Sequence, residues 1–222
     1  MALLAACEGH HRAVRTRRIN APLSLVVGPR AGDAELARGL IAGESWAIAE
    51  TWHRFAPMVL MTAERALGSR AEAEDVAQEV FCGVFRKAET LRDPDSLRSF
   101  VYSFAVRVLK SELRRRRVRG WFPFLQPAAA ADVAHRAPDF ESRDLLAKLY
   151  VLLDRLTPRD RMVFVLRRME SMTVDEIAAT MGLSLSTVKR SMTRASGRLS
   201  RWVQADPGLA GLVRGQRGGH RP

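Results

Sequence analysis

Between Thr157 and Ser184 the chain spells out three helix beginnings and one helix end, and this punctuation constrains the fold more than any other feature. Thr157 precedes Pro158, a residue suited to the first helical position, and Asp160 stands three places after the cap. Thr173 repeats the device with Glu176, a capping-box pattern, and introduces Val174, Ile177, Ala178 and Met181. Gly182, able to take left-handed backbone, ends that helix, and Ser184 caps the next one. The segment therefore reads as helix, tight turn, helix. Just upstream, Leu145, Leu146, Leu149, Leu152, Leu153 and Leu156 recur at amphipathic helical spacing.

The earlier half obeys the same rules. Ser69 with Glu72 caps a helix whose stripe is Val76, Val80, Phe81, Val84 and Phe85, with Asp75, Gln78 and Glu79 on its polar flank. Asp93-Pro94 breaks the chain, and a long helix follows from about Asp95, with Leu97, Phe100, Val101, Phe104 and Val108 inward and Tyr102 off that stripe. Residues 120–143 hold Pro123, Pro127 and Pro138 and an alanine run without helical period, which marks a linker. The expected fold is all-α: two small helical domains joined by a flexible linker, the second a helix-turn-helix domain. The boundaries are a basic N-terminal extension 1–32, a first domain 33–118, a linker 119–141, a second domain 142–204 and a flexible tail 205–222.

Composition narrows the chemistry. With 47% hydrophobic residues among 222, the chain can bury a core without covalent staples. Its two cysteines, Cys7 and Cys82, build neither a disulfide scaffold nor a four-cysteine zinc site, and they suit the cytosol. Cys7 reads as an ordinary thiol and not as a lipoprotein processing site, because no positive leader or apolar region precedes it. Charges interrupt every apolar stretch, so no membrane span is expected. His10, His11, His53, His135 and His220 lack ligand spacing, so no metal or other cofactor is expected. Trp46, Trp52 and Trp202 read as packing residues, and Trp121 beside Phe122 and Phe124 as a linker anchor.

The 36 Lys+Arg exceed the 24 Asp+Glu by a formal charge of +12, and two short blocks hold almost all of that excess. The first is Arg107, Lys110, Arg114, Arg115, Arg116, Arg117 and Arg119 against Glu112; the second is Lys189, Arg190, Arg194, Arg198 and Arg201 with no acid. A single basic run reads equally as a solvated face or linker edge and as a polyanion contact. Two runs, each on the end or flank of an amphipathic helix, read as contacts to a polyanion. In a helix-turn-helix the second helix enters the major groove, which here presents Ser186, Thr187, Lys189, Arg190, Thr193, Arg194 and Arg198.

Three segments together carry a resemblance: Asp75 to Phe81 (DVAQEVF), Leu91 to Tyr102 (LRDPDSLRSFVY) leading to Glu112-Leu113-Arg114-Arg115, and Leu156 to Arg161 (LTPRDR) with Thr187 to Arg190 (TVKR). On them the chain resembles the extracytoplasmic-function sigma factors of bacterial RNA polymerase over about residues 33–204. The resemblance implies that Asp75, Gln78 and Glu79 dock on the clamp coiled coil of the largest catalytic subunit of core RNA polymerase, and that the second domain meets the flap region. It implies that Arg92, Arg98, Ser99 and Tyr102 capture the melted minus-10 strand, with Arg107, Lys110, Arg114 and Arg115 along its phosphates. The residues of the second basic helix would read the minus-35 element as duplex, and an anti-sigma factor becomes an expected partner. The chain departs from the pattern at Phe100, where many relatives carry Trp, and at Arg107, where many carry Asn. The base preferred at minus-10 is therefore left open.

Two rival readings predict different features. A stand-alone helix-turn-helix regulator would bind duplex DNA without polymerase, and it accounts for the second basic block only. A nucleic-acid enzyme needs clustered carboxylates, a nucleophile with its base, or a phosphate-cradling glycine loop, and the sequence offers none of these.

Overall fold

The computed structural model describes residues 32–119, 140–206 and Leu209; the N-terminal extension, most of the expected linker and most of the tail lie outside the described residues. Eight α-helices and two 3₁₀ turns make up the described chain, and no strand occurs among those residues. The helices are α1 (Asp33–Ile41), α2 (Ser45–Leu67), α3 (Arg70–Arg86), α4 (Leu97–Arg119), α5 (Phe140–Asp154), α6 (Pro158–Arg168), α7 (Val174–Met181) and α8 (Leu185–Ala205). Short 3₁₀ turns at Ala88–Thr90 and Pro94–Ser96 carry the chain from α3 to α4.

The caps stand where the sequence sets them. Ser69, Thr157, Thr173 and Ser184 each accept a hydrogen bond from the backbone N–H three residues on. Thr173 and Glu176 complete both halves of the capping box. Each cap satisfies a donor that the first helical turn leaves unpaired. Asp93 accepts from the Asp95 N–H at 3.1 Å, so the turn at Pro94 is itself capped, and the long helix begins at Leu97, two residues later than the sequence suggests.

Helices α2, α3 and α4 pack on one another, and α1 lies across α2. Val76, Val80, Phe81 and Val84 are buried and Phe85 half-buried against this core, with Trp52 on Phe81 at 4.7 Å between ring centroids. Trp46 packs by one edge only: its indole lies against Gly39 of α1, where an added Cβ would meet it at 2.6 Å, yet the residue is 44% exposed and its indole N–H is donated to Glu44. In the second half α8 packs on α6, with α7 against both.

The two halves also pack on each other, since α4 contacts α6 and α7 and α2 contacts α6. One hydrophobic cluster runs from Leu36 through Leu109 to Met162, Ile177 and Val188 without a break. A smaller cluster joins Tyr150, Leu153 and Leu156 of the α5 region to Ala195 and Leu199 of α8. Gly68, which closes α2 at φ 76°, lies directly under Tyr150; a Cβ there would meet the ring at 2.6 Å. This position needs glycine twice, for left-handed backbone and for close approach.

Candidate nucleic-acid and polymerase interface

Asp75, Gln78 and Glu79 are all exposed on α3, opposite its buried stripe, because the 3.6-residue period puts them on the far side from Val76 and Val80. Glu79 lies 3.6 Å from Arg115 on the adjacent α4, and Arg115 also meets Glu112 at 3.3 Å. Both residues of the first pair are open to water, so the pair adds little stability and separates readily. The expected polymerase acid and one expected DNA cation are thus neighbours.

The first basic block divides once folded. Arg107, Lys110 and Arg114 line a cleft of about 340 Å³ between α4 and the C-terminal end of α7. No carboxylate pairs with these three among the described residues. Partial burial, then the neighbouring Arg114 and Arg159 charges, push the Lys110 ammonium below its ordinary pKa. Cations crowded without an acid make a field that favours an anion. Arg107 also lies over the Phe104 ring, 5.0 Å from its centroid. Arg116 does something else: its buried guanidinium donates to the Leu67 carbonyl at 2.7 Å and pairs with Glu72, tying α4 to the α2–α3 corner. The basic-run pattern could not separate this structural arginine from its exposed neighbours.

Arg92, Arg98 and Ser99 are exposed around the start of α4. Tyr102, one turn on, is only 8% exposed. Its hydroxyl donates to Glu170 at 3.2 Å and lies 3.3 Å from the Thr62 hydroxyl. Burial raises its pKa, and the hydrogen bond and charge of Glu170 act in the same direction. In this arrangement no base can reach the ring.

On α8, Ser186, Lys189, Arg190 and Thr193 are exposed, and Thr187 and Arg198 are half-buried. The Thr187 hydroxyl lies 2.8 Å from that of the cap Ser184, and the Thr193 hydroxyl donates to the Lys189 carbonyl at 3.1 Å. Val188, Ala195 and Leu199 are buried beneath them, so the polar face points away from α6. Arg194 is 42% exposed at its side chain, yet its guanidinium is shared with Asp160, which it reaches at 3.1 and 3.5 Å, and with Ser191 at 3.1 Å. Burial alone would raise the Asp160 pKa, but hydrogen bonds from Arg194, Ser191 and Thr157, with the Arg194 charge, outweigh it and hold the carboxyl below its ordinary value. Arg194 therefore fastens α8 to the start of α6, a role that spacing within α8 does not reveal. No group of three metal-binding side chains occurs among the described residues, and none of the described helices is long and apolar enough to cross a membrane.

Comparison with known proteins adds the following. The family model for Sigma-70 region 2 matches residues 51–119, and that for Sigma-70 region 4 matches residues 146–199. The chain is 31% identical over 137 residues to the ferric citrate uptake sigma factor FecI of Escherichia coli, a match spanning 59% of this chain and 76% of FecI. It is 29% identical over 152 residues to the ECF RNA polymerase sigma factor SigE of Mycolicibacterium smegmatis, spanning 68% of this chain and 59% of SigE. Among solved structures, CnrH in complex with the cytosolic domain of CnrY shares the fold, with a TM-score of 0.56 and 24% identity over 78% of this chain and 98% of that one.

Proposed function

This chain belongs to the extracytoplasmic-function sigma factors, the alternative sigma factors that direct promoter-specific transcription by bacterial RNA polymerase, and from that premise we propose how its residues divide the work. Residues 33–118 act as the unit that binds core polymerase and the minus-10 element, and residues 142–204 as the unit that reads minus-35, joined through 119–141. Asp75, Gln78 and Glu79 offer carboxylate and amide groups to the basic clamp coiled coil. Arg92, Arg98, Ser99 and Tyr102 hold the unpaired minus-10 strand, and Arg107, Lys110, Arg114 and Arg115 follow its phosphates. Stacking a base on an aromatic ring contributes about 1–3 kcal/mol, enough to hold a flipped nucleotide. Ser186, Thr187, Lys189, Arg190, Thr193, Arg194 and Arg198 face the minus-35 duplex, its cations setting affinity and its hydroxyls and forked donors touching base edges.

The observation that carries this division is that Arg107, Lys110 and Arg114 on α4 and Lys189 and Arg190 on α8 have no acid partner among the described residues, while the acidic flank of α3 is exposed. The protein catalyses nothing itself and uses no cofactor; its binding energy redirects the polymerase. It acts in the cytoplasm, at the nucleoid. An anti-sigma factor covers its polymerase-binding face; CnrH, whose fold this chain shares, is itself in complex with another protein, the cytosolic domain of CnrY.

The test is a pull-down with purified core RNA polymerase followed by run-off transcription on fragmented DNA from the source organism. Core binding with new, specific transcripts is expected, and aligning their start sites yields the promoter. Retention of duplex fragments by the protein alone, without core binding, would instead establish the stand-alone regulator.

A further inference from the structure

The turn after α6 is built to present one carboxylate to the first half of the molecule. Ser171 has a φ of 56° and is alone among the described non-glycine residues in positive φ. That conformation is disfavoured for a residue with a Cβ and persists where its surroundings fix it. Around it, the Glu170 N–H bonds to the Val165 carbonyl at 3.1 Å and the Met172 N–H to the Leu166 carbonyl at 3.0 Å. The turn directs the Glu170 side chain inward, where it is 6% exposed.

Both carboxylate oxygens are used across the interface. Oε1 accepts from Arg65 on α2 at 2.9 Å, and Oε2 accepts from the Tyr102 hydroxyl on α4 at 3.2 Å. Arg65 also donates to the Met169 carbonyl at 2.7 Å, one of those that the end of α6 leaves without a helical partner. Beside this contact the Tyr150 hydroxyl donates to the Glu64 carbonyl at 3.3 Å, a second strut between the halves. An anionic oxygen held by an arginine and a tyrosine hydroxyl is the arrangement that a nucleic-acid phosphate would adopt on the same two side chains.

We propose that Glu170 is an internal competitor of the minus-10 strand: its carboxylate occupies Arg65 and Tyr102 in the free protein, closing the single-strand surface until the two halves are drawn apart on polymerase. This rests on the reading of Tyr102 as a minus-10 contact, and it adds Arg65 to that surface. A closed form lowers the apparent affinity for the strand by the fraction of molecules that are open.

The test uses the full chain and a fluorescent, mixed-sequence single-stranded DNA, because stacking and phosphate contacts tolerate sequence. Glu170→Gln removes the ionic contact with little change in shape, and Arg65→Gln breaks it from the other side. Asp175→Asn on neighbouring α7 removes an equal charge and leaves the contact intact. Small-angle scattering should show Glu170→Gln and Arg65→Gln expanded, with Asp175→Asn as compact as the parent. Anisotropy should show Glu170→Gln binding the strand about tenfold tighter, as expected if about one parent molecule in ten is open, a gain that Asp175→Asn does not match and added Tyr102→Ala abolishes. Unchanged dimensions in both latch variants would overturn the closure. Expansion with no more affinity than Asp175→Asn would overturn the competition, and the fault would then lie with the DNA role of Tyr102, because closure itself would have been seen.

Discussion

Arg194 and Asp160 show how one residue can serve two demands. Asp160 is buried and its depressed pKa means that the folded state binds fewer protons than the unfolded state near the carboxylate range. Its stabilising contribution is therefore complete above the unfolded pKa and is lost as pH falls through the lower folded value. Arg194→Ala is expected to cost about 1–3 kcal/mol at neutral pH, the penalty for leaving a buried acceptor short of its donors. It should also flatten the loss of stability in acid; urea melts at neutral pH and near pH 3 measure both effects, and a neutral-pH melt identical to the parent would remove Arg194 from its fastening role. Gly68 makes a complementary prediction. Adding a methyl group in Gly68→Ala sets a Cβ against the Tyr150 ring and forces left-handed backbone on alanine. A loss of about 1–2 kcal/mol follows from the backbone alone, visible as a lowered Tm, and any displacement of Tyr150 adds to it.

Helix α8 is a cap, a buried stripe and a cationic face in one element. Ser184 starts it, Val188, Ala195 and Leu199 hold it to α6, and Lys189 and Arg190 remain exposed without an acid partner among the described residues. On the proposed reading these two are the cations of the helix most open to a phosphate, because Arg194 is shared with Asp160. For each of Lys189→Gln and Arg190→Gln, the slope of log affinity for promoter DNA against log salt should fall in magnitude by about 0.9. An unchanged slope in the polymerase-bound complex would mean that the residue neutralises no phosphate. On α3 the prediction concerns the opposite charge. Glu79→Arg should abolish core binding while leaving the melting temperature near that of the parent, because the pair it breaks with Arg115 is solvent-exposed. Normal core affinity in that variant would sink the docking assignment.

At the scale of the molecule the two helical halves share a core and a polar latch, so the surfaces that would meet DNA do not all face solvent at once. Arg92, Arg98 and Ser99 are open, whereas Tyr102 is closed off by a carboxylate 68 positions along the chain. The helices from Ser69 onward, their caps, the glycine stop at Gly182 and the inward stripes were legible in the sequence, because each depends on neighbours within a few residues, a hydroxyl three positions from an N–H or apolar side chains one turn apart, whereas α1 and α2 have no side-chain cap and were not read. The two cationic tracks were legible for the same reason. What the sequence could not disclose was which members of those tracks are spoken for. Arg116 is taken by Leu67 and Glu72, and Arg194 by Asp160, while Glu170 and Arg65 carried no local signal at all. Trp46, read as a packing residue, meets Gly39 of α1 with one edge and stays 44% exposed, because how much of an indole is covered depends on the element that arrives beside it. By itself the sequence determined the capped helices from Ser69 onward, their order and their charged faces, through short-range hydrogen bonding and helical period. Tertiary structure alone decided which charges are paired and which aromatic is shut away, because partners separated by tens of residues meet only when the chain has folded.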